Sequence, residues 1–196
     1  IHSLSDDSVL GMSLDLMRLY LIRHPKPTVE PGICYGQLDI LAKIEMADFA
    51  RLRAELPPGL PVWSSPLLRC RHLAEQLHPQ PVIDARLAEL NFGDWEGLPW
   101  DDIPRYELDA WAADVVGYVP PGGESPRALQ RRALDFVMSL TVPEAVIVTH
   151  AGVIRCLLAH WLDLDEGEWL TVSADFLSVT TVERDVNGRV RRVTKR

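Results

Sequence analysis

Cysteine is scarce in this chain: Cys34, Cys70 and Cys156 are the only three among 196 residues, and they lie far apart. An odd, dispersed set fits neither a disulfide framework nor a metal-ligand spacing, so reduced thiols and no metal site are expected. None of the three has an arginine six positions later, where Ile40, Gln76 and Leu162 stand, which excludes the cysteine-nucleophile phosphatases. Gly-x-Ser-x-Gly and Gly-Lys-Ser/Thr are also missing, which removes serine-hydrolase elbows and P-loop enzymes. No apolar run is long enough to span a bilayer, and Ile1 to Asp15 lack the basic start and apolar centre of a secretory signal. A soluble, cytoplasmic protein with no membrane partner is expected. Positive charge is in deficit, with 20 Lys and Arg against 28 Asp and Glu for a net charge of −8. A nucleic-acid surface is therefore not expected, and an anionic ligand would need a local cluster of arginines working against the global field.

The 47% hydrophobic content suits one compact domain. Residues 1–16 carry no clear period and are expected to form a disordered extension, with Met17 a candidate natural start, ahead of a single domain over 17–196. Leu19 to Ile22 is an apolar run that leads into Arg23-His24-Pro25, a buried strand followed at once by a breaker. The proline- and glycine-rich loop after it, through Cys34-Tyr35-Gly36, lies beside a candidate site. Leu41 to Leu56 places apolar residues on one helical arc. Pro61 to Ser64 is a short strand, and Ser65-Pro66 has the pattern of an N-cap with proline at the first helical position, opening a helix to His78 with Arg69 in its first turn. Val82-Ile83 is a further strand, and residues 99–118 suit short helices that cap the sheet. Ser125-Pro126 repeats the cap pattern before a helix through Leu140. Ala145 to Thr149 is a strand that ends on His150-Ala151-Gly152, and Val153 to Trp161 continues as a helix. Two last strands, 176–183 and 188–194, read as a tight hairpin through Asn187-Gly188, the second a charged edge. Strands alternate with helices, so the expected architecture is α/β: three layers, helix/sheet/helix, around a mainly parallel sheet with an antiparallel edge.

Three strand ends thus deliver Arg23 with His24, Arg69, and His150 to the carboxyl edge of that sheet, the edge where open α/β sheets bind ligands. Two guanidiniums grip an oxyanion, and backbone N–H groups around Gly152 at a helix start add donors. One neutral imidazole can attack phosphorus, and a second, kept cationic by the phosphate, can stabilise charge on the equatorial oxygens. A leaving alcohol also needs a proton, for which Glu89 is the candidate by sequence context, with Glu96 the alternative that otherwise braces the loop. Tyr35 and Gln37 from the first loop are candidate substrate contacts, and Trp95 could stack on a flat base although such aromatics usually pack. His2, His72, His78 and His160 follow no motif.

Five segments in order, Arg23-His24, Ser65-Pro66-Leu67 with Arg69, Leu87-x-Glu89 with Phe92-Gly93-x-Trp95-Glu96-Gly97, Gly123-Glu124-Ser125, and Val148-Thr149-His150-Ala151-Gly152, resemble the histidine phosphatase superfamily of phosphoglycerate-mutase-like proteins. The resemblance implies that fold, transient phosphorylation of His24, phosphoryl binding by Arg23, Arg69 and His150, Glu89 as general acid and then base, and no metal or dissociable cofactor. Within the superfamily, Gly32-x-Cys34-Tyr35-Gly36-x-x-Asp39 and Ser65-Pro66-Leu67-x-Arg69-Cys70 look most like α-ribazole phosphatase, which removes the 5′-phosphate of a cobalamin-pathway nucleotide. The implied partner is a small phosphomonoester. A phosphoglycerate mutase, a phosphatase of another metabolite and a non-catalytic phospho-ligand module are the rivals. Pro25 stands where relatives carry glycine, removing a backbone N–H beside the nucleophile. The oligomeric state is not legible.

Overall fold

The structure is a computed structural model that describes residues 16–185 and 187–196. The expected disordered extension, apart from Leu16, lies outside the described residues. Six strands form one sheet: β1 (Met17–Arg23), β2 (Val62–Ser64), β3 (Val82–Ile83), β4 (Glu144–Thr149), β5 (Val179–Arg184) and β6 (Val190–Lys195), in the order β3-β2-β4-β1-β5-β6. β3, β2, β4 and β1 run parallel, while β5 and β6 add an antiparallel edge. Five α-helices flank the sheet: α1 (Met46–Glu55), α2 (Leu68–Leu77), α3 (Arg105–Ala113), α4 (Pro126–Ser139) and α5 (Ala151–Trp161).

The strands' two-residue period sorts the core into two layers. Leu19 and Leu21 of β1, with Ala145 and Ile147 of β4, pack against Leu129, Phe136, Ile154 and Leu157 of α4 and α5. Tyr20, Ile22, Val146 and Val148 face the other way, onto Leu52 of α1 and Leu73 of α2. The three-layer expectation is met. Residues 99–118 depart from it: they pack with Cys34 and Trp95 into a separate aromatic cluster beyond the strand ends, not over a sheet face.

Three local expectations also shift. The first helix begins at Met46, not Leu41, because Ala42 pairs with Pro27 and the Leu41 carbonyl accepts the Thr28 N–H, holding 41–42 extended. α2 begins at Leu68, and the carboxylate of Asp39 accepts the Leu68 N–H at 2.7 Å, so the cap comes from a distant loop. The last hairpin is wider than a two-residue turn. Asp185 spans it, its carboxylate accepting the N–H groups of Asn187 and Arg189, with Gly188 at φ +79°. The first of its strands starts at Val179, after a turn through Phe176 and Leu177. Ser125 caps α4 as expected, accepting the Ala128 N–H ahead of Pro126.

Candidate active site

β2, β4 and β1 are neighbours and parallel, so their carboxyl ends lie side by side, with Arg23 opposite Thr149 and Ser64 opposite Val148. The chain beyond each end stays attached: the His24 N–H donates to the Thr149 carbonyl at 3.1 Å and the Ser65 N–H to that of Val148 at 3.0 Å. His24 and His150 are thereby brought together, ring centroids 5.0 Å apart, edge to face. Arg69, in the first turn of α2, directs its Nε–H to His24 Nε2 at 3.3 Å.

The His24 ring is 2% exposed. Its Nδ1 lies 2.7 Å from the Pro25 carbonyl oxygen, which can only accept, so Nδ1 carries the hydrogen and Nε2 keeps its lone pair. Proline at 25 therefore costs nothing at this contact, since the carbonyl and not the missing N–H is used. Burial pulls the His24 pKa down to about 3, with the Arg69 and Arg23 guanidiniums adding to the shift against the Pro25 bond. A neutral imidazole with a free nitrogen is the form that attacks phosphorus.

His150 is fully buried, and burial first, then His24, Arg69, Arg132 and Arg23, holds its pKa well below the usual value. It is neutral in the unliganded protein, so the cationic form expected from the sequence requires the phosphate's negative charge. Arg69 is also fully buried and donates to the carbonyls of Leu38, at 2.8 Å, and Gly36. Arg23 donates to the Ala174 carbonyl at 2.6 Å and stacks on Phe176, 3.6 Å from the ring centroid, while its Nε has no partner. Phe176 was not found by sequence reading, which placed it inside a strand.

Glu89 is anchored at the start of α5. Its Oε2 accepts the Gly152 N–H at 3.2 Å and its Oε1 the Leu90 N–H at 2.8 Å. Gly152 thus serves the carboxylate in this state, not a phosphate as the sequence suggested. The segment carrying Glu89 is buttressed by Arg132, which donates to the carbonyls of Arg86, Ala88 and Glu89 and pairs with Glu124. That accounts for the Gly-Glu-Ser motif. Glu96 braces the loops, its Oε1 accepting the N–H groups of Gln37 and Phe92. Gln37 turns its amide to the Glu89 carbonyl at 3.0 Å.

Arg23, His24, Tyr35 and Glu89 line one end of a cavity of about 220 Å³. Its remaining wall is largely apolar and includes Phe92, Trp111, Val115, Leu129 and Trp169, with Arg155 the added cation. Trp95 is not part of that wall: it is 2% exposed, enclosed by Trp100, Trp111 and Tyr118, with its indole N–H given to Glu107. A substrate role for Trp95 is corrected accordingly. Arg155 and Trp169 were missed, although Arg155 lies one helical turn beyond Ala151, a spacing that places it on the same face. A larger hollow of about 500 Å³ opens beside Met17, Leu140 and Arg184, at the amino ends of β1 and β4, away from these groups. Among the described residues no group of three or more His, Cys, Asp and Glu side chains is arranged to hold a metal ion, and no helix is long and apolar enough to cross a membrane.

Comparison with known proteins returns the model of the histidine phosphatase superfamily (branch 1), matching residues 19–195. The chain is 36% identical over 164 residues to a 6-phosphofructo-2-kinase/fructose-2,6-bisphosphatase of Caenorhabditis elegans, covering 74% of this chain and 34% of that protein. It spans about a third of the length of that relative. It is 32% identical over 176 residues to a glucosyl-3-phosphoglycerate phosphatase of Mycolicibacterium vanbaalenii, covering 78% of this chain and 77% of the relative. The crystal structure of a phosphoglycerate mutase from Thermus thermophilus superposes with a TM-score of 0.69 at 33% identity, over 90% of this chain and 98% of the other.

Proposed function

The chain belongs to the histidine phosphatase superfamily and is a phosphatase-type hydrolase, and from that premise we propose that it cleaves a small phosphomonoester, without a metal, through a phosphohistidine at His24. The observation that carries the reading is the His24 tautomer: Nδ1–H tied to the Pro25 carbonyl leaves Nε2 as a neutral nucleophile beside Arg69 and His150. Nε2 attacks phosphorus, the bond to the leaving oxygen breaks, and that oxygen takes a proton from the Glu89 carboxyl. Glu89, now a carboxylate, removes a proton from water as the water oxygen bonds to phosphorus. The nitrogen–phosphorus bond breaks and its electron pair returns to Nε2. Arg23 and Arg69 supply fixed positive charge to the transferring group. For Arg69 this means exchanging its loop carbonyls for phosphoryl oxygens.

The substrate we propose is α-ribazole 5′-phosphate. The motifs at 32–39 and 65–70 support it, and so does an apolar, aromatic wall beside Glu89, where a flat base would be sheltered from water. Arg155 on the same wall favours a second reading, a leaving group bearing a carboxylate, as in the phosphoglycerates. The test is a panel of α-ribazole 5′-phosphate, 3-phosphoglycerate and p-nitrophenyl phosphate, assayed with and without EDTA for wild type and His24→Ala. Expected are chelator-insensitive hydrolysis, preference for the α-ribazole compound, and no turnover by the variant. Turnover retained by His24→Ala removes this nucleophile. Phosphate binding without any hydrolysis by wild type points to a binding module.

A further inference from the structure

Ser65 has the sequence pattern of a helix cap, yet the structure gives that task to Asp39 and turns the Ser65 hydroxyl elsewhere. Its Oγ lies 2.7 Å from His150 Nε2, and both residues are fully buried. The other neighbour of the ring is Cys70, whose Sγ is 3.4 Å from Nε2 and 3.8 Å from Nδ1, and whose S–H is directed to the Thr149 carbonyl. Sulfur is a weak partner, so the hydroxyl is the one strong hydrogen-bonding group on this imidazole among the described residues.

The ring bears a single proton in the unliganded protein, because it is buried and faced by His24 and Arg23 from the end of β1, Arg69 from α2 and Arg132 from α4. Which nitrogen holds that proton decides whether His150 can act as a donor to the transferring group. The hydroxyl's own environment bears on the answer. Ser65 Oγ accepts the Leu67 N–H at 3.3 Å, which occupies a lone pair and leaves its hydrogen free to be donated. The neighbouring Ser64 hydroxyl is turned to the Ser65 carbonyl and does not compete.

We propose that Ser65 is a positioning residue that donates its hydroxyl hydrogen to His150 Nε2 and so holds the ring proton on Nδ1, keeping one N–H available to the phosphoryl group at His24. This rests on His24 being the nucleophile but asks a separate question, since the tautomer of His150 exists without substrate. The direct test is long-range ¹H–¹⁵N correlation on protein labelled at histidine, with the His150 signals assigned by their loss in His150→Gln. Wild type is expected to show a protonated Nδ1 and a bare Nε2 at His150, and Ser65→Ala a changed distribution. Turnover of p-nitrophenyl phosphate by Ser65→Ala is expected to fall roughly 10- to 100-fold in kcat with KM little changed, as for a donor that has lost its orientation, and Ser65→Thr, which keeps the hydroxyl, to recover most of it. A bare Nδ1 in wild type overturns the proposal even if the variants fail to fold. So does an unchanged tautomer and kcat in folded Ser65→Ala. Failure of the His24 reading would appear separately, as turnover by His24→Ala.

Discussion

Gly152 leaves no room for a methyl group, because a Cβ there would overlap Glu89 Oε1. Its backbone is ordinary helix and would accept alanine, so the steric demand comes from the carboxylate and not from the fold. Gly152→Ala should therefore push Glu89 out of position while leaving stability nearly intact. The expected outcome is a kcat lower by about 10²- to 10⁴-fold, the range for a displaced general acid, with an unchanged melting temperature. Near-normal turnover in a folded Gly152→Ala protein would remove Glu89 from the reaction. Glu96, the alternative donor in the sequence, is engaged by two backbone N–H groups and serves the loops.

Among the elements, α2 shows how a catalytic group depends on a remote cap. The first N–H groups of a helix need acceptors, and here Asp39 supplies one while its own loop also provides the Gly36 and Leu38 carbonyls that hold Arg69. Loop and helix are thus one unit around the arginine. Asp39→Ala should cost about 1 kcal/mol in urea unfolding through the lost cap, and it should lower kcat because the first turn carries Arg69. Asp39→Asn, which retains an acceptor, should restore most of both. Equal loss in the two variants would mean that the cap is not what Asp39 contributes.

The two buried imidazoles set a pH dependence for the whole molecule. Between about 3 and the ordinary 6.5 the unfolded chain binds a proton at His24 that the folded chain does not. His150 acts in the same direction. Stability from these residues is therefore full above pH 6.5 and is lost as pH falls below it, by up to about 1.4 kcal/mol per pH unit for each. The Asp84 carboxyl, drawn down by its Arg86 hydrogen bond, contributes only below its ordinary 3.8, so the window from pH 6.5 to 5 belongs to the histidines. Urea midpoints should drop across that window in wild type and drop less in His24→Gln. Parallel titrations of the two proteins would contradict the buried, neutral state of His24.

Much of this was legible in the chain itself. A strand that must bury both faces reads as a continuous apolar run, and a breaker directly after it marks where its last side chains emerge, so Leu19–Ile22 and Ala145–Val148 announced both strands and the histidines at their ends. Parallel pairing then forces those ends to one edge. What only the tertiary structure decided are contacts between segments remote in sequence: the Ser65 hydroxyl on His150, Arg23 on Phe176, Glu89 on the amide of Gly152, and Trp95 enclosed by its neighbours. Local pattern reports the conformation a segment prefers alone, in which Ser65 caps its own helix and Phe176 extends a strand. The partner that outcompetes the local one is brought in by sheet order, which is set by burial summed over the whole molecule.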